Sequence, residues 1–347
     1  MNADAVLIPA NDRSHWANAS LSQRLEKFQG IFVKHKAIKK VADFVEAELV
    51  LRKVEMKANG VLVIAGSGSG KTSFVNFLKR QYPDVDTPSM STRPVVCFKV
   101  PAVPSPSSMG SALLKALGDP LYDRGSWEDK KDRAENLLLK AGTIIIAIDD
   151  FQDVPSRRKA RGVEHIANWI RDLCDFKFPG LVFALGTEQA AVVRDAHDQL
   201  RRRMQARFEL PVFSMASETD IKNYLSLLEL VDRGLPLAEH SELKSMRLAR
   251  PLLAATNGIL DYLMKLMARA LVRAVQRGSE RIEKVDLELG FEDLHQVAAV
   301  AGNPFAADWN GEALTGPGQI FELRQDGPDD AGVKKTSRRG QRATKAG

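Results

Sequence analysis

The chain has 347 residues, 44% apolar and 27% charged, which is the balance of an ordinary globular protein with room for one large and one smaller domain. No apolar run approaches the ~18 residues that cross a bilayer, residues 1–10 lack the basic head and long apolar stretch of a secretory signal, and only two cysteines, Cys97 and Cys174, argue against a disulfide framework and fit a reducing cytoplasm. The net charge of +6 sits in the last 14 residues as Lys334, Lys335, Arg338, Arg339, Arg342 and Lys345, which leaves 44 basic and 44 acidic residues elsewhere, so nucleic-acid affinity of the body requires a local patch.

Residues 1–17 carry no periodicity. Leu21, Leu25 and Phe28 share one helical face, and 37–57 reads as a helix with Ile38, Val41, Phe44, Val45 and Leu49 at helical spacing. The apolar run Val61-Leu62-Val63-Ile64 then reads as a strand, followed by Ala65-Gly66-Ser67-Gly68-Ser69-Gly70-Lys71-Thr72-Ser73 at the opening of a helix. A strand, a glycine-rich turn and a helix starting Lys-Thr form the nucleotide-binding P-loop. In that motif the amides of Gly66, Ser67, Gly68, Ser69, Gly70, Lys71, Thr72 and Ser73 curl around phosphates, helped by the positive end of the helix dipole. Lys71 reaches the β- and γ-phosphates of a nucleoside triphosphate, and the Thr72 hydroxyl ligates Mg²⁺. Ala65 replaces the usual first glycine, which a negative φ tolerates.

A second strand over 95–100 leads to a Pro- and Ser-rich loop, 101–108, and helices near 109–117 and 127–139. The third strand, 143–148, is β-branched or alanine throughout, as expected of a parallel strand buried on both faces. It ends in Asp149-Asp150, the sequence of a Walker B element. With a P-loop beside this strand, Asp149 supports the Mg²⁺ held by Thr72, and Asp150 polarises a water for attack on the γ-phosphate. A basic loop, 155–162, leads to a helix over 163–173.

The fourth strand, 180–185, ends in Gly186-Thr187-Glu188, where Thr187 either bonds the attacking water or γ-phosphate or caps the next helix. In the run 199–208, Arg207 and then Arg203 are the foremost candidates to reach nucleotide on a neighbouring subunit; a solvated helix face is the alternative. Beyond Pro211, Ser217 and Asp220 form a capping box, and helices follow near 242–255, 258–277 and 284–300 with no further strand. The fold class is therefore α/β: a doubly wound parallel sheet with an all-helical lid. The domains are a 1–35 extension, a 36–215 nucleotide-binding domain, a 216–300 lid and a 301–347 irregular basic tail, which either touches phosphates or a partner or is merely solvated.

P-loop, Walker B, polar strand tip, arginine cluster and helical lid, in that order, resemble the AAA+ P-loop ATPases. No Asn-Lys-x-Asp guanine-reading motif is present. Within that class the chain resembles the TniB/TnsC family of transposition ATPases. The residues that carry the likeness are 149–153, 185–190, Gln199-Leu200 and 207–211, with Pro236-Leu237, Thr256-Asn257-Gly258-Ile259, Leu263, Leu266 and Ala270 in the lid. The resemblance implies a bacterial, nucleoid-associated protein that binds ATP, oligomerises as a ring or helical filament on duplex DNA, and recruits a transposase and a target-selection protein. Two departures stand out: Asp150 occupies a position more often Glu, and the lid helix beginning near Ile259 has no arginine in its first turn. Both suit a slow ATP switch better than a fast motor.

If the resemblance holds, duplex DNA meets the basic loop with Arg157, Arg158, Lys159 and Arg161, with Lys99 and Lys115 as weaker candidates. No aromatic residue interleaves this run, which favours duplex backbone over single strands. Two other functions fit the same motifs: an ATP-bound scaffold that scarcely hydrolyses, and an initiator or clamp-loader-like ATPase.

Overall fold

The computed structural model describes residues 13–295 and 302–322, apart from 56, 89, 155–159, 177 and 196. Among the described residues a short 3-10 turn (Ser14–Asn18) precedes α1 (Leu21–Gln29), whose capping Ser20 Oγ accepts the Gln23 amide while Gln23 Oε1 accepts the Ser20 amide. Then come α2 (Lys36–Glu55), β1 (Asn59–Ala65) and α3 (Lys71–Gln81). A small antiparallel ribbon, β2 (Val85–Asp86) and β3 (Ser91–Thr92), precedes β4 (Val95–Lys99), α4 (Pro106–Ala116) and α5 (Trp127–Lys140). The large domain is completed by β5 (Ile145–Asp149), α6 (Ala160–Cys174), β6 (Leu181–Gly186), α7 (Gln189–Asp195), α8 (Asp198–Arg203) and β7 (Ala206–Leu210).

The five long strands form one parallel sheet in the order β4-β5-β6-β1-β7. Alternate side chains of its central strands feed two cores. Val61, Val63, Ile145, Ala147, Phe183 and Leu185 pack against α2 and α3. Leu62, Ile146, Ile148, Val182 and Ala184 pack on the opposite face against α4, α5 and α6 through Leu113, Leu138 and Trp169. Each such aliphatic side chain contributes roughly 1.5–3 kcal/mol by leaving water. Burial on both faces is why β5 and β6 read as unbroken apolar runs.

Three expectations change. The Walker B strand β5 does not lie beside β1; β6 is inserted between them. A fifth strand, β7, occupies the stretch assigned to the arginine cluster, and pairs with β1 from Val61↔Ala206 to Ala65↔Leu210. Helix α4 starts inside the supposed loop, because Ser105 caps it and Pro106 sits at the first helical position, where a missing N–H costs nothing.

The lid comprises α9 (Glu218–Gly234), α10 (Met246–Thr256), α11 (Leu260–Gln276) and α12 (Lys284–His295). Ser217 Oγ accepts the Asp220 amide at 3.1 Å, so the N-cap forms, but Asp220 Oδ2 takes the Ser217 hydroxyl instead of its amide and the expected capping box does not close. The lid core also takes in Phe28 and Val33 from the N-terminal segment and Phe305 and Leu314 from beyond α12. Residues 302–322 are therefore packed on the lid, with Tyr262 edge-on to Phe321 at 5.2 Å. The basic residues 334–345 lie outside the described residues. Among the described residues no helix is long and apolar enough to cross a membrane.

Candidate nucleotide-binding site

A cleft of about 330 Å³ opens between the C-terminal edge of the sheet and the lid. Its floor is the turn between β1 and α3. Gly68 and Gly70 there adopt φ of 73° and 97°, conformations that open the loop and that a side chain would oppose. Ala65 is the last residue of β1, with its methyl buried and no positive φ, which is why the missing first glycine does not disturb the turn. Ser67 to Ser73 all line the cleft. Lys71 Nζ donates to the carbonyls of Ala65 (3.0 Å) and Gly66 (3.2 Å), so the ammonium lies across the mouth of the loop. The Ser69 hydroxyl is buried with no hydrogen-bond partner, a donor the chain leaves unused beneath this floor.

The ends of β4 and β5 supply one wall, with Lys99, Asp149 and Asp150. Lys99 and Asp149 are register partners on adjacent strands. Asp149 is 7% exposed, and its Oδ1 accepts the Asp150 amide at 2.9 Å. Asp150 sits at φ 56°, outside the usual right-handed region. This turn directs its carboxylate toward Lys99, whose Nζ lies 2.9 Å from Oδ2, while Gln152 Nε2 donates to Oδ1 at 3.3 Å. The Lys99 ammonium holds the Asp150 carboxyl below the usual carboxylate range, against the opposing effect of burial. Lys99, expected among the DNA contacts, is thus part of the cleft.

Gln152 also accepts the Thr187 amide through Oε1 at 3.3 Å, so one side chain joins the tips of β5 and β6. A Cβ on Gly186 would lie 2.9 Å from that Oε1 and 3.0 Å from the Gln152 amide nitrogen, so this close approach requires glycine. Thr187 itself does not line the cleft, and its carbonyl accepts the Ala190 amide at 2.9 Å as α7 begins. Neither arginine candidate lines the cleft of its own chain. Arg207 faces outward from β7 and pairs with Glu188 (3.1 Å) and Glu209 (2.8 Å), while Arg203 forks onto Asp175. Arg157, Arg158 and Lys159 lie outside the described residues, as does the side chain of Arg161 in the first turn of α6.

Two walls were not legible as a site. The connection from α1 to α2 brings Ile31, Phe32, Val33 and His35 to the cleft, and the first turn of α11 brings Leu260, Asp261 and Met264. His35 is 4% exposed, packs edge-on against Phe213 at 5.3 Å, and is pushed by burial down to about 4. The lid rests directly on the P-loop: the Asp261 amide donates to the Gly68 carbonyl at 3.1 Å. Where an arginine would often stand there is an aspartate, paired with Lys265 one turn on at 2.6 Å.

A family model described as bacterial TniB protein matches residues 26–215, 190 of the 347 residues, from α1 through the whole sheet to the segment just before α9. The chain belongs to the TniB family. The sheet order, P-loop and helical lid are those of an AAA+ P-loop ATPase, so this TniB-family protein is a transposition-associated member of that class. Among solved structures it is similar to the ORC2 protein of Aeropyrum pernix in ADPNP-ADP complexes, with TM-score 0.51 and 12% identity, covering 78% of this chain and 69% of that one. It is also similar to Cdc6p of Pyrobaculum aerophilum, with TM-score 0.50 and 15% identity, covering 76% and 69%. At such identities the likeness is one of fold. No curated protein matches the TniB-family chain in sequence.

Proposed function

We propose that this TniB-family protein is an ATP-dependent DNA-binding regulator of transposition. ATP bound in the cleft orders copies of the chain on duplex DNA, as a ring or filament that recruits transposase and a target-selection protein, and hydrolysis releases them. The observation that carries this is one cleft combining the glycine-rich turn 67–73, the Asp149-Asp150 strand end and a lid seated on the same turn. That Aeropyrum pernix ORC2, of the same fold, was solved with ADPNP and ADP supports a nucleotide in this cradle.

In this function the amides of 66–73 and the Ser69 hydroxyl hold the phosphates, and Lys71 swings from the Ala65 and Gly66 carbonyls to the β- and γ-phosphates. The base lies in the apolar slot between 31–33 and Leu260 and Met264. The donor set fits Mg²⁺: the Thr72 hydroxyl would ligate it directly and Asp149 would support it through the several waters this small cation retains. Bound there, Mg²⁺ neutralises charge on the β- and γ-phosphates. Asp150 takes a proton from a water whose oxygen bonds to the γ-phosphorus, as the bond to the β–γ bridging oxygen breaks and ADP leaves. Thr187, fixed through Gln152, positions that water from the next strand tip. Arg207 or Arg203 reaches the γ-phosphate of a neighbouring copy.

Asp150 held by Lys99 favours a second function, an ATP-bound scaffold that hydrolyses little. Steady-state phosphate release with and without duplex DNA separates the two. Electron microscopy with duplex DNA and a non-hydrolysable ATP analogue tests the assembly itself: rings or filaments are expected, and isolated monomers contradict it.

A further inference from the structure

The slot that receives the base is apolar with two exceptions. The side chains of Ile31, Phe32, Val33, Ile38, Leu260 and Met264 offer it no hydrogen bond, and Asp261 is held by Lys265 at 2.6 Å. His35 is the other exception. It is 4% exposed, yet its ring makes no hydrogen bond among the described residues. Neither ring nitrogen is one of the side-chain atoms sealed from solvent without a partner, so the little surface the ring keeps lies toward the cleft it lines. Its placement is fixed nonetheless. The His35 amide donates to the Val33 carbonyl at 2.9 Å, and its carbonyl accepts the Lys39 amide at 2.9 Å as α2 begins. The ring stands edge-on to Phe213, whose own amide is bound by the Gly258 carbonyl. A polar ring held this firmly without a partner is a cost to the fold, which a ligand with a matching polar edge would offset. Burial keeps the imidazole neutral near pH 7, with a hydrogen on one nitrogen and a lone pair on the other. No second group fixes which nitrogen carries the hydrogen, so the tautomer can follow the ligand.

We infer that His35 reads the edge of the bound base, one ring nitrogen hydrogen-bonding the substituent at position 6 of a purine by accepting from an amino group or donating to a carbonyl oxygen. The inference rests on nucleotide binding in this cleft. With the phosphates on the turn 67–73, the six-membered ring of a purine is the part of the base farthest from them, and a pyrimidine has no second ring to reach that depth. His35 is thus a specificity-determining residue and takes no part in the chemistry. It selects purines with a polar group at position 6 over those without one, because a site that hydrogen-bonds such a group is left with a buried unpaired partner when the group is missing. It does not by itself separate adenine from guanine, since its tautomer adapts to either.

The test is a cycle that removes either partner of this hydrogen bond. Equilibrium binding to the full chain is measured for ADP, for GDP and for purine riboside diphosphate, which lacks only the 6-amino group of ADP, with wild type, His35→Leu and His35→Gln. Wild type is expected to bind ADP about tenfold more tightly than the analogue. His35→Leu should lose about tenfold for ADP and for GDP but less than about twofold for the analogue. His35→Gln, whose amide also accepts and donates, recovers most of the ADP affinity. A second measurement needs no stable variant: in wild type, the ¹⁵N resonances of the His35 imidazole are expected to move further with ADP than with the analogue. Equal losses for ADP and the analogue in His35→Leu, or equal ¹⁵N shifts with the two, overturn the reading of the base and leave nucleotide binding intact. A wild type that binds none of the three overturns the nucleotide site itself, and the inference with it.

Discussion

The amide of Asp261 and the carbonyl of Gly68 lie 3.1 Å apart, and this hydrogen bond joins the first turn of the lid helix α11 to the phosphate loop. The approach is so close that a Cβ on Gly68 would stand 2.7 Å from Ile259 Cγ2 and 3.3 Å from Asp261 Cβ. The other side of the same lid turn is equally fixed: Asn257 and Gly258 have φ of 46° and 68°, and the Phe213 amide donates to the Gly258 carbonyl at 2.9 Å. Any movement of the phosphate loop would therefore be passed to the lid through this contact.

Gly68→Ala tests that link. The substitution meets both a positive φ and the Ile259 methyl, so it is expected to destabilise the protein by about 1–3 kcal/mol and to weaken ATP binding at least tenfold. Thermal unfolding together with nucleotide titration measures both. Full ATP affinity in Gly68→Ala would show that the lid contact is incidental.

Burial of His35 gives a pH dependence with a definite sign. Its ordinary value near 6.5 falls to about 4 in the folded protein, so the unfolded chain binds the proton more readily. The stability from this site is complete above pH 6.5, is lost as pH falls toward 4, and changes no further below that. The loss approaches about 3 kcal/mol, at no more than about 1.4 kcal/mol per pH unit. Half-buried His295 shifts in the same direction, so the measurement is the difference between wild type and His35→Leu in urea unfolding from pH 7.5 to 4.5. The difference should shrink as pH falls, because only the wild type takes up the proton at this site.

The N-terminal helix is tied to the lid by a forked ion pair, Arg24 to Glu280 at 2.8 and 2.9 Å, with the arginine side chain 3% exposed. Removing only the acid strands a buried guanidinium. Glu280→Ala is expected to cost about 3 kcal/mol, and the double change Arg24→Met/Glu280→Leu less than that, because it leaves no unpaired charge. Chemical denaturation of the three proteins decides the order.

The arginine candidates separate in a mixing experiment. Arg207 holds only exposed acids on β7 and beside β6, so it is free to leave them at small cost. Arg207→Ala is expected to reduce DNA-dependent hydrolysis at least tenfold without changing ATP affinity, and to recover in part when mixed with Lys71→Ala, whose subunits supply the missing guanidinium. Recovery with Arg203→Ala in its place would assign the role to Arg203.

The P-loop and the Asp149-Asp150 strand end were legible because their chemistry is local: glycines, a lysine and carboxylates placed by the turn they sit in. The sheet was legible where strands are buried on both faces. It was missed at β7, where Arg207 and Glu209 alternate with Phe208 and Leu210 on an edge strand and read as a charge cluster. The tail was misread for a related reason. Gly and Pro mark 302–322 as irregular, which it is, yet Phe305, Leu314 and Phe321 hold it on the lid. The cleft wall from 31–35 gave no signal, since apolar residues near a helix end look alike whether they face a core or a ligand, and the lid turn at 259–261 stood out only for the arginine it lacks. Lys99 was singled out for its charge, but its partner Asp150 lies 51 positions away and only the strand register brings them together.

The central claim is that nucleotide in this cleft governs assembly on DNA. The most direct measurement is fluorescence anisotropy of a labelled duplex titrated with wild type and with Lys71→Ala, each with a non-hydrolysable ATP analogue and with no nucleotide. Tight binding is predicted only for wild type with the analogue. Equal binding without nucleotide, or by Lys71→Ala with it, would contradict the claim.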